Sequence, residues 1–267
     1  MANLIRSVKA GSDWIETELC AYNIEVVSEN VAAFFGNADL PSPTTTIRPV
    51  ILAYETYPAA GLPTESTDEC DDNELFRLME KAMKITPGEN STVVSFAHRL
   101  LWLLKYGSLE HYLHLRMDIP LYMCSANTLT QPDICLVEYP TQRNVLLFQE
   151  DKRHLEGNDP EPQLIAEAIA AFQFHNHRLS ALGLPTVNAA VIPGITMVGT
   201  APTFYKIEVN TALVEAVELG EYPLQTTIVH KLIPPVQVLK DFQQDGMKPL
   251  ENRAVILSCF EAFKKFL

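Results

Sequence analysis

The chain has 267 residues, 47% of them hydrophobic, enough to bury a core in one large domain or two small ones. Thirty-three acids against twenty bases give a net charge of -13. That balance argues against broad, nonspecific nucleic-acid binding, but leaves room for a local basic groove or for a metal inside an acidic site. Five widely spaced cysteines without a CxxC pair argue against a zinc knuckle or a disulfide framework. No apolar run approaches the ~18 residues of a membrane span. The opening MANLIRSVKAGSDW lacks the apolar centre of a leader. An acidic, intracellular protein of the cytoplasm or nucleus is expected, with no membrane partner.

Taken in chain order, SDWIETELCAYNIEVVSENVAAFFG (12–36) opens on a helix cap at Ser12 or Asp13 and ends on Phe34 and Phe35 before Gly36. Trp14, Leu19, Tyr22 and Ile24 are core candidates. Residues 37–66 are rich in proline and turn formers, with ILAYE as a short strand. The acidic run DECDDNE leads a helix through ELFRLMEKAMKI, at the end where the helix dipole favours acids. A second helix spans STVVSFAHRLLWLLKYG and ends at Gly107. HYLHLRMDIPLYMC is extended, and Pro120 places part of it at an edge or bend.

DICLVEY and NVLLFQEDK, joined by PTQR, form a hairpin. PEPQLIAEAIAAFQFHNHRLSALG is the clearest helix, opened by prolines and closed at Gly183. Two strands, NAAVIPGITMVG and TFYKIEVN, follow. Then come a helix (TALVEAVELGE), a strand (TTIVHKLI) and a closing helix (NRAVILSCFEAFKKF). The pattern predicts an α/β fold, with an N-terminal extension (1–65) packed on a core domain (66–267).

The residues that carry chemistry fall on the hairpin and the helix after it. Asp133 follows Pro132 at the start of one strand, and Glu150, Asp151 and Lys152 close the next. Strand alternation turns Glu150 and Lys152 to one side and Asp151 to the other. Gln163 and Glu167 stack one turn apart on the helix. Two carboxylates from adjacent strands can hold a magnesium ion, a lysine can position water or steady phosphate charge, and the metal offsets charge growing on a phosphodiester.

Pro132-Asp133, Glu150-x-Lys152 and the glutamine-bearing QLIAEAIAAF, in this order, resemble the PD-(D/E)XK nuclease superfamily. Flanking stretches such as ELCAYNIEVV and IPGITMVGTAPTFYKIEV are similar to uncharacterised proteins of mushroom-forming fungi that carry this core. The resemblance implies a restriction-endonuclease-like core, a mixed central sheet flanked by helices. It also implies a divalent-metal-dependent nuclease, a hydrolase of phosphodiester bonds in DNA or RNA, using Mg2+ or Mn2+. Asp133 and Glu150 would be the metal ligands; Asp133, Glu150, Lys152 and Gln163 the catalytic set; Glu167 and His154 the support. An acid from an earlier helix is implied as well, with Glu74, Glu80 and Glu110 as candidates. The net charge motivates an alternative: a nuclease-fold module without activity, serving a structural or protein-binding role. DECDDNE is a weaker hint of a basic protein partner.

Other groups read as ordinary structure. His175 and His177 point apart on a helix, and His111 and His114 lie in an extended stretch. Cys135 is a core thiol. Gly194 and Gly199 mark bulges or bends in a strand pair. Arg143, Lys152, Arg153 and Lys206 are the bases near the core strands.

Overall fold

The computed structural model describes residues 6–43, 47–56, 69–84, 92–150, 159–237 and 241–267. Lys152 and His154, with Asp151 and Arg153, lie outside the described residues, as does the expected boundary at 65/66. Among the described residues the protein is α/β, with a mixed seven-stranded sheet between helical layers, in the order β1 (Ile24–Ser28), β9 (Thr227–Leu232), β8 (Ala201–Asn210), β7 (Ala189–Val198), β6 (Asn144–Glu150), β5 (Ile134–Glu138) and β2 (His111–Leu115).

The N-terminal segment begins with a 3-10 turn at Gly11–Asp13 and helix α1 (Glu16–Ala21). The cap falls on neither Ser12 nor Asp13. The Glu18 carboxylate instead accepts the Ile15 amide at 3.0 Å, which satisfies an orphan donor at the helix start. Asn23, at φ 53°, turns the chain out of the helix, and the β-branched run after it forms β1 (Ile24–Ser28). β1 pairs in parallel with β9 (Thr227–Leu232), so this segment supplies a sheet strand as well as packing helices. Helix α2 (Val31–Phe35) ends at Gly36 in the left-handed region, as the Phe-Phe-Gly sequence suggests. ILAYE is not a strand. Pro49 occupies the first turn of helix α3 (Pro49–Ala53), where its missing N–H costs nothing.

Helices α4 (Glu69–Ala82) and α5 (Thr92–Leu103) pack together on one sheet face. α5 stops short of Gly107, because Lys105 takes a positive φ of 60°. The extended stretch then divides. β2 (His111–Leu115) becomes the sheet's edge strand beside β5 (Ile134–Glu138). β3 (Ile119–Met123) leaves to pair with β4 (Ala126–Thr130) in a separate hairpin, with Pro120 exposed on it. That hairpin lies against the long helix α6 (Pro160–Ala181). The Gln173 amide there both accepts the Tyr122 N–H at 3.0 Å and donates to the Tyr122 carbonyl at 2.9 Å, completing the strand's backbone bonding.

β5 and β6 (Asn144–Glu150) form the expected antiparallel hairpin. Their residues divide between two apolar clusters. Ile134, Leu136, Leu146 and Phe148 pack toward α4, α5 and the closing helix α9 (Leu250–Phe263). Cys135, Val137 and Leu147 pack toward α6. β7 (Ala189–Val198) runs parallel to β6 and then turns at Gly199 into β8 (Ala201–Asn210). Pro193 sits one residue before the β6–β7 ladder begins at Gly194, so its missing donor breaks no bond to β6. Gly194 is neither a bulge nor a bend. A Cβ there would stand 2.8 Å from Leu164, so the glycine lets α6 approach the sheet. Helix α7 (Thr211–Leu219) ends at left-handed Gly220, and α8 (Phe242–Asp245) precedes α9.

Arg253 of α9 is fully buried and donates to five backbone carbonyls, those of Ile51, Tyr54, Glu55, Met247 and Lys248, at 2.6–3.1 Å. These bonds anchor the end of α3 to the core. Arg253→Ala should lower the unfolding free energy by upwards of about 3 kcal/mol, because several buried acceptors lose their donor. Urea denaturation measures it, and a loss under about 1 kcal/mol would contradict this account.

Candidate functional site

The site lies where β5 starts and β6 ends. Asp133 is nearly buried, and its Oδ2 accepts the Glu150 amide at 2.9 Å. Its carbonyl accepts the Arg116 amide at 3.1 Å. Asp133 is thus held between the end of β2 and the end of β6, just past the first paired residues, Ile134 and Phe148. The side chain takes over where the β5–β6 ladder stops.

Helix α6 supplies the opposite wall. Asp159 caps it by accepting the Glu161 amide at 3.0 Å, and Pro160 begins its first turn. Lys231 of β9 pairs with Glu161 at 2.6 Å, which fixes the helix start against the sheet. One turn on, the Gln163 amide donates to Glu167 Oε1 at 3.0 Å. Glu167 is fully buried, and its Oε2 has no hydrogen-bond partner among the described residues. Burial pushes its carboxyl well above the usual range, and the charge of Asp133 adds to that. Burial thus favours the protonated form of Glu167. Burial likewise pushes the Cys135 thiol up, with Glu167 adding to it, so Cys135 is an inert core thiol.

Between these walls opens a cavity of about 480 Å3 lined by Asp133, Glu150 and Gln163, with Gln149, Arg116, Asp118 and Asp159. Asp133, Glu150 and Gln163 are thus brought together, with Glu167 behind Gln163. Ala10 and Ser12 of the N-terminal segment and Thr130 of β4 complete the rim. The close crossing there requires Gly11, since a Cβ would stand 2.5 Å from Thr130.

The earlier acids separate clearly. Glu110 sits at the far end of β2, where its carbonyl accepts the Tyr139 amide beside the β5–β6 turn. Glu80 is exposed and pairs with Lys84 at 2.6 Å on another surface. Glu74 lines a neighbouring cavity that shares Arg116 with this one, and it pairs with Arg99 at 3.1 Å. Of the bases noted in sequence, Arg143 pairs with Glu138 near the distal turn and Lys206 pairs with Glu29. Neither lines the cavity.

Four residues escaped the sequence reading: Gln149, Arg116, Asp118 and Asp159. Asp159 was recoverable as the cap before Pro160. Gln149 depends on the strand register, which pairs Ile134 with Phe148 and so sets the next residue across from Asp133. Arg116 carried no local signal.

The donors suit a hard cation. Asp133 and Glu150 are carboxylates, and Gln149 Oε1 is a buried carbonyl oxygen with no hydrogen-bond partner among the described residues. Two carboxylates with additional neutral oxygens and water match magnesium's preference. No group of three or more His, Cys, Asp or Glu side chains that could hold a metal occurs among the described residues. No protein-family model matches the sequence, and no curated protein does. No helix among the described residues is long and apolar enough to cross a membrane.

Glu167 binds its proton more tightly folded than unfolded. Its contribution to stability is therefore full below an unfolded carboxyl pKa of about 4.3 and is lost as pH rises through the raised folded value. Glu167→Gln keeps an acceptor for Gln163. It should flatten the fall in melting temperature above about pH 5. Parallel wild-type and variant curves would refute a buried neutral acid.

Proposed function

We propose that the chain is a divalent-metal-dependent phosphodiester hydrolase with a restriction-endonuclease-like core. The observation that carries this reading is the Asp133 carboxylate bonded to the Glu150 amide at the mouth of a carboxylate-lined cavity, with Gln163 across it. The order of elements supports it. Helix α5 is followed by the antiparallel strands β2, β5 and β6, then by α6 and by β7 parallel to β6.

Asp133 and Glu150 would hold Mg2+ or Mn2+, and Gln149 Oε1 offers a further oxygen. The bound ion would supply charge neutralisation at the phosphate and a more acidic water. The chain's own groups do the rest. The Glu150 amide fixes one oxygen of Asp133, so that carboxylate is pre-aimed. The Gln163 amide is oriented by its bond to Glu167. The burial that favours protonated Glu167 lessens the repulsion of a second buried anion on Asp133. Lys152, two residues past Glu150, is assigned by the resemblance to position the attacking water or steady phosphate charge, with His154 in support.

A second reading, a nuclease-fold module without catalysis, draws on the net charge of -13 and on the lack of a three-ligand metal group among the described residues. Two experiments separate the readings. Incubation of single- and double-stranded DNA and RNA with Mn2+ or Mg2+ should give cleavage that EDTA abolishes. Glu150→Ala and Lys152→Ala should each reduce it by about 10²-fold or more. Equal background cutting by all three proteins would sink the hydrolase reading. Manganese titration by calorimetry should show one site that Asp133→Asn weakens at least about tenfold. Failure to bind manganese would favour the inactive module.

A further inference from the structure

The segment around α5 and β2 runs against the charge of the chain. Within residues 92–116, Arg99, Lys105 and Arg116 face a single carboxylate, Glu110, and Glu110 lies at the far end of β2. A second cavity, of about 620 Å3, opens beside α4, α5 and the end of β2. His98, Arg99 and Arg116 line it, together with Leu78, Leu115 and Glu74. Arg116 is also part of the Asp133–Glu150 cavity, so the two share a wall. From Arg99 the basic surface continues outward. The Arg99 guanidinium lies 4.8 Å from the centre of the Trp102 ring, and the Lys105 ammonium 4.9 Å from it. Trp102 is 44% exposed, while Trp14 is only 1% exposed.

We infer that this groove is the path of the substrate: an unpaired nucleic-acid strand passing from Trp102 and Lys105 along Arg99 to Arg116, where one phosphodiester enters the Asp133–Glu150 cavity. The inference rests on the hydrolase reading and narrows it to single-stranded DNA or RNA. Charge count decides between strand and duplex. A duplex grip of six to ten phosphate contacts asks for more than the three cations that this face offers among the described residues. An open strand needs fewer contacts and offers base faces. Leu78, Leu115 and the exposed indole are apolar surfaces for those faces. His98 contributes a hydrogen bond but no charge, because burial and then Arg99 lower its pKa. Glu74 opposes the strand, since its carboxylate already holds Arg99 at 3.1 Å.

That opposition gives a test that misfolding cannot imitate. Anisotropy of fluorescein-labelled 20-nucleotide single strands, in EDTA so that nothing is cut, should show binding with a log–log salt slope near about -2, three cations at ~0.7 each. Arg99→Ala combined with Lys105→Ala should weaken binding and flatten the slope by about 1.4. Glu74→Ala should tighten it. Indole fluorescence should change with the strand in wild type and not in Trp102→Phe. A duplex of the same sequence should bind less tightly. Preference for duplex, or unchanged affinity in both the double variant and Glu74→Ala, would overturn the path. Cleavage assays with Mn2+ keep the two claims apart. Binding that follows this pattern without any cleavage would defeat the hydrolase reading and leave the strand path standing. Cleavage with all variants binding as wild type would do the reverse.

Discussion

The bond from the Glu150 amide to the Asp133 carboxylate is the interaction on which the candidate site depends. β5 and β6 are buried on both faces, so their backbone groups must be satisfied within the sheet. At the point where β5 begins, the antiparallel ladder has no further partner to offer. A carboxylate placed there caps the open amide and is itself held rigid. The same geometry that completes the sheet's hydrogen bonding thus aims an oxygen into a cavity. β7 continues beside β6 to the residue pair Glu150 and Met197, which keeps that end of the strand fixed from the other side.

Around this bond the protein tolerates an unusual concentration of acid. Asp118, Asp133, Glu150 and Asp159 share one cavity, with Arg116 as the cation lining it among the described residues. Glu167 lies behind them, fully buried, with its carboxyl pKa raised by that burial. Carboxylates gathered at this density are costly without a cation, because each disfavours the ionisation of its neighbours. The α5–β2 face sets Arg99, Lys105 and Arg116 beside them, joined to the acidic cavity through Arg116.

Much of this was legible in the sequence where local rules operate. Prolines at the start and Gly183 after the end marked α6, and Gly36 marked the end of α2. The two apolar runs joined by PTQR specified the β5–β6 hairpin. Local rules failed where distant partners decided. IEVVS became a strand because β9 offers it an edge, and ANTLT became one because α6 and α7 hold the β3–β4 hairpin: the Cys124 and Ser125 amides donate to the carbonyls of Val217 and Glu218. ILAYE became a helix whose last carbonyls bond to Arg253, some 200 residues away.

By itself the sequence determined an α/β chain, the hairpin, helix and strand that run from β5 to β7, and the placement of Asp133, Glu150 and Gln163 on adjacent elements. Those features follow from periodicity, turn residues and spacing, which act over a few residues. Tertiary structure alone decided that Gln149 stands opposite Asp133, that Glu74 rather than Glu110 borders the site, and that Arg116 joins an acidic cavity to a basic one. It also decided the raised carboxyl pKa of Glu167. Strand register, the bend that separates β2 from β3, and the loss of solvent around a carboxyl are products of long-range packing, and no short stretch of residues encodes them.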